Sequence, residues 1–131
     1  MGILKFEEFE SVLFNICLYV DSILEDEFGN AYELHPSRLS RGKAANGFLD
    51  GLFRVTTSFT FGYGSKFGRG YLIIIEMITL DVVDVEFNKR IVKKGIEVFG
   101  AKLKEKFPEK DLRIVYDINV YKIIGNFFHD I

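Results

Sequence analysis

Phe6, Phe9, Leu13, Ile16, Val20 and Ile23 follow one another at alternating spacings of three and four residues. That period places them along one face of a helix, and no proline interrupts it, so residues ~4–28 are expected to be helical. Gly29-Asn30 supplies a stop. Val12, Phe14, Leu18, Tyr19 and Leu24 widen the apolar stripe beyond what one sheet face usually covers. This width raises the expectation of a homo-oligomer formed through helix 4–28.

The period then changes. Phe53, Val55, Thr57, Phe59, Phe61 and Tyr63 alternate with Arg54, Thr56, Ser58 and Thr60, which predicts a strand with one buried and one polar face. YLIIIEMITL (71–80) is apolar on both faces, as a central strand would be. Glycine-rich GYGSKFGRGY (62–71) lies between them, so the pair reads as a β-hairpin. Phe87, Ile91, Gly95, Phe99 and Leu103 mark a second helix over ~84–106, capped by Asp81 or Asp84 and ended before Pro108. LRIVYDINVYKIIGNF (112–127) is strand again, either one bulged strand or a hairpin broken near Asp117–Asn119. A helical turn is expected around Lys43–Leu49.

These elements predict an α+β fold in a single domain, 1–131. It is a two-layer sandwich of order α-β-β-α-β(β), with a mainly antiparallel sheet and both helices on one face. Arg54, Thr56, Ser58 and Thr60 would then line the open face, and Arg54 is the natural partner for Glu76, a lone charge in an apolar strand.

Composition adds limits. The chain has 131 residues, 48% of them apolar, and 14 of its 20 aromatic rings are phenylalanine, which supplies core volume without a polar handle. Cys17, the single cysteine, lies in an apolar run and reads as a buried structural thiol. No signal peptide is visible, and the longest uncharged apolar run, Ser11–Val20, is too short to span a bilayer. The expected location is cytoplasmic, with no membrane partner. Net charge is −2, but its distribution is uneven. Residues 1–30 carry Lys5 against seven carboxylates, whereas residues 31–70 carry six cations against Glu33 and Asp50. The middle segment is where an anionic partner belongs.

Two stretches there concentrate the candidate chemistry. HPSRLSRGK (35–43) offers Arg38, Arg41 and Lys43 as cations, Ser37 and Ser40 as hydroxyl donors, and His35 as a candidate acid or base. Arginine forks match phosphate oxygens two at a time. The alternative is that these arginines pair with acidic residues such as Glu25–Glu27. In 62–71, Lys66 and Arg69 suit phosphate, while Tyr63, Phe67 and Tyr71 suit stacking on bases. The glycine spacing is neither a dinucleotide fingerprint nor a P-loop, because a strand follows it and no Gly-Lys-Ser/Thr closes it. DSILEDEFGN lacks the alternating acids of a calcium loop. Asp50 and Glu76 lack the lysine that would suggest a nuclease, and His129 sits at the chain end.

The leading expectation is therefore a small anion-binding module for RNA or a phosphorylated ligand, using both loops on one surface, with no cofactor and no metal. A homo-oligomeric interaction or structural protein is the alternative. A phosphate-handling enzyme built on His35 is the third reading.

Overall fold

The computed structural model describes residues 2–44 and 49–127. The order is α1 (Gly2–Phe28), β1 (Phe53–Thr60), β2 (Gly70–Met77), α2 (Val85–Lys106), β3 (Leu112–Asp117) and β4 (Val120–Gly125). All strand pairings are antiparallel, in the sheet order β1-β2-β4-β3. This is the expected α+β architecture, with 112–127 resolved as a hairpin. Most of the turn expected at 43–49, and His129, lie outside the described residues.

The sequence periods explain the layers. On α1, Phe9, Leu13, Ile16, Val20 and Leu24 are buried, with Cys17 among them. The helix packs on both β1 and α2. That second contact takes up part of the width of the apolar stripe, while Phe14 and Tyr19 stay exposed. Burial pushes the Cys17 thiol up to about 12, with Asp21 adding to the effect, so it is a packing group and not a nucleophile.

β1 and β2 pair from Phe53↔Met77 to Thr60↔Gly70. Val55, Tyr71, Ile73 and Ile123 point toward the helices, and Arg54, Thr56 and Ser58 take the other face, as their alternation requires. Arg54 donates from Nε and Nη2 to Glu76 Oε1, each at 3.1 Å, on this second face. α2 begins where the Asp84 carboxylate accepts the Phe87 amide at 2.9 Å, and it buries Ile91, Gly95, Phe99 and Leu103. Burying a phenylalanine such as Phe99 stabilises the fold by roughly 1.5–3 kcal/mol.

One irregularity shapes the surface. β2 pairs with β4 only through Tyr71, Leu72 and Ile73. Beyond Ile73 the two strands part, because β4 begins only after the Ile118–Asn119 turn of its hairpin.

Candidate functional site

Residues 35–43 form a brace, and Ser40 and Arg41 line a cavity of about 470 Å³ beside Glu25 and Tyr32. Arg38 donates to three backbone carbonyls, those of Asp50 (2.7 Å), Phe53 (2.9 Å) and Gly51 (3.1 Å). Arg41 bridges two carboxylates, Asp50 at 2.9 Å and Asp21 at 2.8 Å. Asp50 also accepts the amides of Gly42 and Ala44, and Glu25 accepts the amide of Leu52. The arginines are thus paired within the chain, with Asp21 and Asp50 as the carboxylate partners. Their forks are already taken up by the junction between α1, the loop and β1.

Electrostatics follow from burial. Burial pushes the Asp21 carboxyl up to about 7 against the pull of Arg41, since one of its oxygens is buried without a hydrogen-bond partner among the described residues. Burial also raises Glu25. It acts in the same direction on Asp50, but the Ala44 amide, Arg41 and the Gly42 amide together hold that carboxyl below the usual range. His35 donates its amide to the Ile78 carbonyl, and its Nδ1 accepts the Ser37 amide at 3.0 Å. The Ser37 hydroxyl also lies 2.7 Å from His35 Nδ1, and among the described residues no carboxylate hydrogen-bonds to the ring. Ser37, Ser40 and Lys43 remain exposed.

The two loops do not share a surface. Residues 35–43 lie at the Phe53/Met77 end of the β1–β2 hairpin and 62–69 at the Thr60/Gly70 end. Eight paired residues separate those ends, about 23 Å of strand. The joint site expected from the sequence is corrected accordingly.

The glycine-rich loop is more than a turn. Its backbone makes two successive turns, Ser65 N–H to Gly62 O at 2.9 Å and Gly68 N–H to Ser65 O at 3.3 Å. Gly62 has φ 71°, and a Cβ there would run into the Gly68 backbone, so only glycine closes the loop. The loop folds back over the open face of the sheet, where Lys122 holds it. The Lys122 ammonium is 1% exposed and lies 2.7 Å from Asp117 Oδ2, 2.6 Å from Gly68 O and 3.1 Å from Ser65 Oγ. Ser65 in turn donates to Asp117 at 2.6 Å. The hydrogen bonds from Lys122 and Ser65, with the Lys122 charge, hold Asp117 below the usual carboxylate range. Ser65 and Lys122 both bond to Asp117, and Lys122 also holds the Gly68 carbonyl, so the cluster ties the loop to the β3–β4 hairpin as a clamp.

What the clamp presents is aromatic. Phe59 meets Phe61 edge to face (5.1 Å, 85°), and Phe61 stacks on Tyr63 (5.7 Å, 14°). Phe61 is 64% and Tyr63 91% exposed, so the stack ends in an open ring face. Lys66 and Arg69 are exposed on the same loop. Tyr71, expected as a stacking ring, is instead 1% exposed and packs against Phe9, Phe59 and Phe127 in the core. Phe67 is half-buried beneath the Lys66 ammonium, 5.1 Å from its ring centre. Sequence reasoning missed Phe61, Asp117 and Lys122 as parts of this site. The available signal was a lone lysine in the apolar strand VYKIIG.

Among the described residues, no group of three or more His, Cys, Asp or Glu side chains could hold a metal ion, and no helix is long and apolar enough to cross a membrane. No solved structure matches the chain. A protein of Borreliella burgdorferi described as an uncharacterized protein is 68% identical over 128 residues, covering 98% of this chain and all of that protein. Residues 4–125 match a protein-family model described as "Uncharacterised protein", and the chain belongs to that family.

Proposed function

We propose that the protein is a small binding module for a planar, phosphate-bearing ligand, a nucleotide or the bases of single-stranded RNA, taken at residues 61–69. The observation that carries this reading is the Phe61–Tyr63 stack, open at one end, on a loop held by a buried lysine. A base laid on Tyr63 continues the stack, worth about 1–3 kcal/mol per base. Lys66 and Arg69 supply the charge that phosphate needs. The Lys122 clamp orders the loop before binding, which lowers the entropy lost on association.

The test is a fluorescence-anisotropy titration of labelled single-stranded RNA, with AMP as competitor, at about 50 and 200 mM salt. Tyr63→Ala is expected to weaken binding by about 5- to 150-fold. Lys66→Ala and Arg69→Ala should each lower the salt slope by about one. Lys122→Met should weaken binding while leaving the ring stack's residues in place, because the loop is no longer held. RNA binding that Tyr63→Ala leaves intact, or no binding at the lower salt, sinks the proposal.

A further inference from the structure

The second helix lies across the sheet without filling the space beside it. Along its β3-facing flank run two cavities in succession, of about 350 and about 700 Å³. Val92, Ile96, Gly100 and Ala101 form the helix wall. Ile114 and Tyr121 belong to the facing sheet wall, and Tyr121 packs edge to face on Tyr116 at 5.0 Å. The larger cavity opens where β2 and β4 part company after Ile73. From Asn88 to Phe107 the flank measures about 28 Å, the length of a helix of about 19 residues. The helix wall is low at its centre, because Gly100 lies over Ile114 with only a glycine's bulk.

Charge on the rim is mostly positive. Lys89, Lys93, Lys104, Lys110 and Arg113 line the two cavities against one acid, Glu97. Lys89 lies 3.9 Å from Glu86, whereas Lys93, Lys104 and Arg113 have no ion pair among the described residues. At the Tyr116 end stands the β3–β4 turn, where Ile118 has φ 44° and is 77% exposed. A β-branched residue is costly in that conformation, and its exposure means that packing within the chain does not retain it.

We propose that this flank of α2 docks an acidic amphipathic helix of a partner protein, with the partner's apolar stripe in the groove and its carboxylates on the lysines. Helix-in-groove recognition uses this combination of an apolar channel and a charged rim. Ile118 closes one end and contacts the partner. The site lies on the helix side of the sheet, away from the 61–69 loop, and stands independently of the ligand proposed there.

The probe is a fluorescein-labelled peptide of about 20 residues with a leucine stripe flanked by glutamates. Its controls are the same composition scrambled and a version with lysine for each glutamate. With the full chain, the acidic amphipathic peptide is expected to bind about tenfold or more tightly than either control. Lys93→Glu combined with Lys104→Glu should weaken it by about tenfold or more. Gly100→Leu, which fills the groove, should abolish binding while circular dichroism stays unchanged. Equal binding of all three peptides, or indifference to the lysine and glycine variants, overturns the proposal. So does light scattering that shows a dimer dissociated by Gly100→Leu, since the occupant is then a second copy.

Discussion

Ile118 occupies a left-handed position in a two-residue turn, with Asn119 at φ 71° beside it. Such turns favour asparagine or glycine at both central positions, since a β-branched side chain crowds the backbone there. Ile118→Asn is therefore expected to stabilise the fold by about 1 kcal/mol, read as a higher urea midpoint with an unchanged slope. An unchanged or lower midpoint would mean that Ile118 is held by packing after all. At the same scale, Lys122 shows how one side chain can decide the shape of a loop 54 to 57 residues away in sequence. Its three partners use all three ammonium protons, which leaves no unsatisfied charge in the buried site.

Elements whose boundaries rest on local chemistry form where local chemistry places them. Helix α2 was expected over ~84–106 and runs over Val85–Lys106, because Asp84 caps it and the Pro108 segment cannot extend it. Removing the cap by Asp84→Ala should cost about 1 kcal/mol of stability in urea denaturation. A cost near zero would show that the Tyr32 hydroxyl, which accepts the Asp84 amide at 3.0 Å, suffices to start the helix. The 62–69 loop behaves differently. Its glycines announce a turn, but the direction in which it folds depends on β4, an element still ahead in the chain.

For the whole molecule, the junction of α1, the 35–43 brace and β1 sets the response to pH. Asp21 titrates near 7 when folded and near 3.8 when unfolded, so between those values the folded state holds the extra proton. Stability therefore falls as pH rises from about 4 to about 7 and levels off above. Asp50 and Asp117 act in the opposite sense, since their depressed values add stability that is lost only as pH falls below the usual carboxylate range. The melting temperature should accordingly be higher at about pH 5 than at about pH 8. Asp21→Asn keeps an acceptor for Arg41 and should reduce that difference, leaving the share of Glu25, which burial also raises. A wild-type melting temperature that does not drop, or a drop that Asp21→Asn leaves undiminished, would place the titrating group elsewhere.

Sequence by itself determined the element order, the buried faces and the α+β class, because period 3.6 and period 2 record which side of each element meets the core. It also marked Tyr63, Lys66 and Arg69 as candidate ligand contacts and Arg54 as the partner of Glu76. Only the tertiary structure decided which cations stay exposed without an ion pair among the described residues and which are taken up within the chain. Arg38 and Arg41 resemble Lys66 and Arg69 in composition, yet the first two are satisfied by carbonyls and by Asp21 and Asp50. The tertiary structure likewise put the two basic loops at opposite ends of one hairpin, buried Tyr71, and joined Lys122 to Ser65. The physical reason is the same in each case. Hydrophobic periodicity is a local property of the chain, whereas a charge finds its partner only after distant segments have been brought together.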